Sequence, residues 1–230
     1  MSTDAVAGLE ADRSLLGRTS TADRLADVLR SRITEGYFAP GTRLSEEAIG
    51  GALGVSRNTL REAFRLLTHE RLLVHELNRG VFVRALTAED VADLYRVRRL
   101  VECSIVRAIT SPLGEALAPA RAAVEAGEDA AKRGAWRELG TADIHFHQAL
   151  GTLAGSPRVD ELMRGVLAEL RLVFHVMVDP QPFHEPYLTR NRQILTALEN
   201  GHGLRAETLL GSYLKDAERQ LLAAYRDSSL

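Results

Sequence analysis

A single cysteine, Cys103, is the only thiol in this 230-residue chain. That excludes an internal disulfide and fits a cytosolic protein, with Cys103 a buried, inert thiol. Aromatic residues make up only 5% of the chain, so its core must be built mainly from Leu, Val, Ile and Ala. No stretch approaches the ~18 consecutive apolar residues of a membrane span. Residues 1–21 hold no basic segment followed by an apolar run, so no signal peptide is expected. There is no glycine-rich phosphate loop and no nucleophile elbow. The formal net charge is only -2, so overall charge does not mark a nucleic-acid binder. Internal repeats and low-complexity tracts are absent too.

What is present is a 45% hydrophobic composition, enough for one large or two small domains. Charge is unevenly spread. Residues 20–84 carry ten Arg against eight Asp/Glu, whereas residues 85–230 carry 17 Lys+Arg against 20 Asp/Glu. The sign of that asymmetry points the N-terminal part toward phosphate.

The densest signal runs from Gly54 to Leu67. Gly54 suits a tight turn, and Ser56 can cap the helix after it. At helical spacing Arg57, Asn58, Arg61 and Arg65 share one arc, and Leu60, Ala63, Phe64 and Leu67 share the next. One side can pack while the other offers guanidinium forks to phosphates and guanine edges. An ordinary amphipathic helix with a solvated arginine face would look the same, so the flanks decide. Upstream, the spacing predicts a helix over 22–35 ended by Gly36, then a turn at Pro40-Gly41. A second helix starts near Ser45, with Ile49, Ala52 and Leu53 on one side, weakened by Gly50 and Gly51. Downstream, Val74–Leu77 and Val81–Val83 flank Asn78-Arg79-Gly80 as a hairpin. Three helices and a hairpin describe a winged helix-turn-helix over residues 19–84, preceded by a mobile tail at 1–18.

Thr87-Ala88-Glu89-Asp90 reads as the cap of a new helix. Helices are expected at 88–110, 113–133, 136–154, 158–178, 184–200 and 203–226, with breaks that include Ser111-Pro112, Gly155-Ser156-Pro157 and Asp179-Pro180. The fold class is therefore mostly α, an N-terminal winged helix-turn-helix followed by an all-α antiparallel bundle over 85–230.

These residues carry a resemblance. Pro40-Gly41-Thr42-Arg43-Leu44, Leu53-Gly54-Val55-Ser56-Arg57, Leu60-Arg61-Glu62-Ala63 and Asn78-Arg79-Gly80 resemble the GntR family of bacterial transcription regulators. Leu94–Glu102 and Asp143-Ile144-His145-Phe146-His147 resemble the FCD-type ligand domain of its FadR subfamily. The resemblance implies a cytoplasmic homodimer, most readily a repressor, on a palindromic double-stranded DNA operator. It makes Arg57 and Arg61 base or phosphate readers, Arg43 and Ser56 backbone contacts, and Arg79 and Gly80 a wing tip beside the minor groove. Asn58, Thr59 and Arg65 complete the DNA-facing set. Where many relatives have an arginine in the second helix, this chain has Glu47, which repels phosphate.

In many FCD domains a carboxylate and a histidine one turn apart hold a metal with two more histidines. Asp143 and His147 supply that first pair, and a divalent zinc or nickel ion is the implied cofactor. The remaining two positions fall at Asn191 and Tyr213, poor ligands beside imidazole. Two other arrangements are open: a hydrogen-bonded Asp143–His147 pair, or a metal-free pocket in which Asp143, His147, Asn191 and Tyr213 meet a small-molecule effector, a carboxylate or related metabolite. Arg98 either faces that pocket and pairs with an anionic effector or forms a solvated salt bridge with Glu102. His145 lies far around the helix from His147, and His75, His175, His184 and His202 suggest no site. A metal-dependent enzyme and a helical interaction module that does not touch DNA are the competing functions. The arginine stripe argues against the second.

Overall fold

The computed structural model describes residues 20–174 and 181–227. The expected tail at 1–18, the end of the helix drawn to 178 and the Asp179-Pro180 break all lie outside the described residues.

Helix α1 spans Thr21–Thr34, capped by Ser20 and Asp23 in a reciprocal capping box. A two-residue strand β1, Arg43–Leu44, leads into α2, Glu46–Leu53, which Ser45 caps. Gly54 ends α2 at φ 64°, in the left-handed region that glycine enters without a Cβ penalty. Ser56 then accepts the Thr59 amide at 3.2 Å and starts α3, Arg57–His69. Strands β2, Leu73–Glu76, and β3, Gly80–Val83, follow.

The sheet order is β1-β3-β2, all antiparallel, with Leu73 opposite Val83 and Leu44 opposite Val81. The hairpin was legible; β1 was not, because two residues carry no alternation to read. Leu25, Leu29 and Ile33 of α1 pack with Leu60, Ala63, Phe64 and Leu67 of α3 in one core. Of the apolar side of α2 only Ile49 reaches that core; Ala52 is exposed and Leu53 is 45% exposed.

The remaining helices are α4 (Ala88–Arg107), α5 (Ala118–Lys132), α6 (Trp136–Thr152), α7 (Pro157–Val173), α8 (Gln181–Glu199) and α9 (Gly203–Asp227). Thr87 and Asp90 form the expected capping box on α4. The helix expected from 113 is split: Gly114–Leu117 is a 3-10 turn, and α5 begins only at Ala118. The helix expected from His184 begins at Gln181, which places Pro186 inside it rather than in the first turn. The helices form an antiparallel bundle in which α4 touches α6, α7 and α9.

The winged part rests on the bundle through α1 against α7. Arg84, just after β3, donates to Glu169 of α7 at 2.8 Å and to Asp90 of α4 at 2.6 Å. Burial raises the Glu169 carboxyl above its usual range, with Arg84 pulling the other way. Removing Arg84 strands a largely buried carboxylate. Arg84→Gln is expected to cost about 2 kcal/mol in urea unfolding. Arg84→Gln with Glu169→Gln should recover part of that loss; equal losses in single and double variants would contradict the coupling.

Candidate functional site

Two places collect the residues that the sequence singles out. The first is the outer face of α3 with the wing. Arg57, Asn58, Arg61 and Arg65 are exposed, and Thr59 is half-buried under the Ser56 cap, its hydroxyl 2.8 Å from that of Ser56. Arg43, Arg57 and Gly80 converge on one groove of about 470 Å³, whose walls also include Glu46 and Glu47. Gly80 has φ 110°, and a Cβ there would lie 3.3 Å from Arg43 Nε. A side chain at the wing tip would therefore both strain the backbone and press on Arg43.

Several of these guanidinium groups are held by carboxylates. Arg61 Nε donates to Glu46 at 3.0 and 3.1 Å. Arg65 donates to Glu62 at 2.6 and 3.1 Å, and Arg79 pairs with Glu76. No such ion pair forms at Arg57 among the described residues. Exposed pairs of this kind are worth about 0–1 kcal/mol, so phosphate can displace the carboxylates at small cost. The acidic screen was not read from the sequence, except at Glu47.

The second place is inside the bundle. Asp143 and His147 on α6, Asn191 on α8, Tyr213 on α9 and Arg98 on α4 are all buried, and one further residue links them. Glu102, fully buried, accepts from Arg98 Nε at 2.7 Å and from His147 Nδ1 at 2.6 Å. Burial opposes its charge, but Arg98 and then His147 outweigh burial and hold its carboxyl below the usual range. Burial likewise opposes the Arg98 charge, and Glu102 raises it. The Arg98–Glu102 pair thus exists, but the solvated version of it is corrected: the two side chains are 1% and 0% exposed.

The direct Asp143–His147 hydrogen bond is also corrected. His147 Nε2 is 3.9 Å from Asp143 Oδ1, too long for one. That carboxylate oxygen instead accepts from Asn191 Nδ2 and from the Tyr213 hydroxyl, each at 2.7 Å. Burial, reinforced by Asp143, keeps the Tyr213 phenol protonated far above its usual range. Three buried polar atoms of this chain of residues have no partner: Arg98 Nη2, His147 Nε2 and Asn191 Oδ1. Among the described residues no group of three or more His, Cys, Asp or Glu is placed to hold a metal ion.

Sequence reasoning named Glu102 only as a solvated partner of Arg98 and missed its burial and its bond to His147, although a signal existed. Arg98 and Glu102 fall on the same stripe of α4 as the buried Val91, Leu94, Tyr95 and Val106, and charges on an apolar stripe point inward. His184 was also underread. It is buried between Phe174 and Phe183, at ring separations of 4.8 and 4.9 Å. Gly140 makes room for it, since a Cβ there would lie 2.9 Å from the imidazole. His145 and His202 are exposed. Cys103 is half-buried rather than enclosed, its thiol pushed up to about 11 by burial.

Burial depresses His184 to about 4, well below the ordinary 6.5. The unfolded chain therefore takes up a proton that the folded chain refuses. This contribution is complete above pH 6.5 and is lost as pH falls toward 4. Wild type is expected to lose up to about 3 kcal/mol more than His184→Gln across that window. Parallel urea titrations at stepped pH check it; identical pH profiles would contradict the buried neutral imidazole.

Comparison with known proteins agrees with both halves of the molecule. Residues 21–83 match the model of the bacterial regulatory proteins of the gntR family, and residues 93–216 match the FCD domain model. The chain is 40% identical over 87 residues to the gluconate operon transcriptional repressor of Bacillus subtilis (strain 168), an alignment spanning 38% of this chain and only 35% of that relative. It is 25% identical over 210 residues to the HTH-type transcriptional repressor RspR of Escherichia coli (strain K12), covering 88% of this chain and 89% of that protein. The crystal structure of a putative transcriptional regulator GntR from Rhodococcus sp. RHA1 superposes with a TM-score of 0.85 at 51% identity, over 90% of this chain and 100% of that one. These families are transcription regulators rather than enzymes. The chain belongs to the GntR family of bacterial transcription regulators, with an FCD domain behind its winged helix-turn-helix.

Proposed function

We propose that this regulator reads a palindromic operator as a homodimer and answers to a small anionic metabolite held in the bundle. Residues 19–84 form the DNA-reading unit, and residues 85–230 bind effector and dimerise. The observation that carries the reading is the exposed arginine face of α3, seated on a buried Leu60–Leu67 face and flanked by a wing that closes on Arg43. Arg57 and Arg61 read bases or phosphates in the major groove. Asn58, Thr59 and Arg65 extend that contact, Arg43 and Ser56 hold the backbone, and Arg79 and Gly80 lie by the minor groove. A dimer sets two such helices about 34 Å apart. An effector acts by binding one arrangement of the two heads better than the other.

Binding sites selected from a random duplex pool provide the operator for the test. Arg57→Ala and Arg61→Ala are each expected to weaken binding by about 1–3 kcal/mol and to flatten its salt dependence. Unchanged affinity and salt slope in both variants would contradict the assignment of α3.

The effector reading rests on the buried cluster, and the donors of that cluster do not fit a metal. Asn191 and Tyr213 stand where histidines would complete a shell, and both donate to Asp143 Oδ1. They occupy Oδ1, one of the two carboxylate oxygens that Asp143 has to offer a cation. Glu102 fixes Nδ1 of His147 as a donor, leaving Nε2 free. A carboxylate effector supplies an acceptor for Arg98 Nη2, and its other polar groups can meet His147 Nε2 and Asn191 Oδ1. An unmade buried hydrogen bond costs about 1–3 kcal/mol, so a ligand that completes several of them gains substantially.

Elemental analysis of the purified, untagged protein is expected to find far less than one zinc or nickel per chain. The double variant Asn191→His with Tyr213→His should gain one. Stoichiometric metal in the wild type would overturn the metal-free reading.

A further inference from the structure

A second cavity lies between the winged part and the bundle, and no residue of the buried cluster lines it. It measures about 270 Å³ and is walled by Arg30 and Ser31 of α1, Thr141 and Gln148 of α6, and Arg164 and Arg171 of α7. Water occupies ~30 Å³ per molecule, so the space suits a small metabolite. Three guanidinium groups face it against one carboxylate, Glu35, which already accepts from Arg32.

Arg171 is the unusual wall. It is only 7% exposed, and among the described residues no carboxylate pairs with it. Its Nη2 reaches only neutral acceptors, the Arg137 carbonyl at 3.2 Å and the Thr141 hydroxyl at 3.5 Å. Its Nε has no partner. Burial, helped by nearby Arg137 and opposed by the Asp143 carboxylate, depresses it to about 10. A buried cation without a directly paired carboxylate is costly, and here it borders an open cavity. Arg30 and Arg164 differ, since Glu70 and Asp160 already pair with them. Glu70 is the C-terminal cap of α3, so Arg30 connects this cavity directly to the DNA-reading helix.

We propose that this cavity binds a small oxyanion, a carboxylate or phosphoryl group, with Arg171 as its buried counter-charge and Arg164 and Arg30 at its rim. An ion bound there ties α1 to α6 and α7 and so clamps the DNA-reading head onto the bundle. This goes beyond the effector reading, because it uses different residues and requires no DNA.

The test uses the full-length protein in chloride buffer, with inorganic phosphate or succinate exchanged in at constant ionic strength. At least one probe is expected to raise the melting temperature in a saturable way. Amide exchange should slow in peptides covering 21–34 and 157–173. Whichever probe acts identifies the group. The rise should vanish in Arg171→Gln and shrink in Arg164→Gln, yet persist in Arg61→Gln on the DNA face. The Arg164 side chain is 59% exposed, so that variant keeps the test valid should Arg171→Gln fail to fold. No rise with either probe, or a rise that Arg164→Gln leaves unchanged, would overturn the site. A rise lost only in Arg61→Gln would assign the anion to the DNA face and overturn it equally.

Discussion

The carboxylate of Glu102 organises the interior of the bundle. Its two oxygens hold Arg98 and His147 at 2.7 and 2.6 Å with no solvent to share the load. An ionised carboxylate can only accept, so this contact decides which imidazole nitrogen carries the proton. It also fixes which atoms of Arg98 and His147 remain to be satisfied. On the proposed effector reading, the direction from which the buried cluster receives a ligand follows from that one group. Asp143, a turn before His147, accepts from Asn191 and Tyr213 at Oδ1, which stays 3.9 Å from His147 Nε2. Two separate carboxylate-centred networks therefore stand where a single metal-centred one would need both.

Outside the bundle the same chemistry works in reverse. Arginines on α3 and the wing are matched with Glu46, Glu62 and Glu76 at the surface. Such pairs are weak and screened. They restrain the guanidinium groups and lower nonspecific attraction to phosphate, which accords with a modest charge excess in this part of the chain. Glu47 in the groove beside Arg43 and Arg57 adds to that effect.

The legible parts of this structure are those governed by local rules. Gly54 and Ser56 announce the start of α3 because a left-handed turn and an N-cap each demand particular side chains. Thr87 and Asp90 announce α4 in the same way. The five buried residues Arg98, Asp143, His147, Asn191 and Tyr213 were readable as one group through family resemblance. Their bonding was not, because an Arg–Glu pair four residues apart looks the same on a surface as in a core. Only its coincidence with the Val91–Val106 stripe separates the two. Strand β1 was invisible for a different reason: its two residues are extended because β3 pairs with them, a tertiary cause with no local trace.

Helix α7 touches both parts of the molecule, α1 on one side and α4 and α6 on the other. From Val166 to Val173 every residue is buried, so that half of the helix has no solvated face on which to carry charge. Glu169 and Arg171 nevertheless lie within that stretch. Glu169 finds Arg84, the residue that leads out of the wing. Arg171 finds two neutral oxygens, the Phe174 ring and a cavity shared with α1. One charge of the helix is thus satisfied by the DNA-reading part, while the other borders the space between the parts. Apolar packing alone would hold the two parts together without reporting on either. Buried charges make their contact sensitive to what is bound, because an unpaired charge changes in energy far more than a methyl group when an ion arrives. The proposed coupling of effector to operator requires contacts of that kind, and on that reading α7 supplies them.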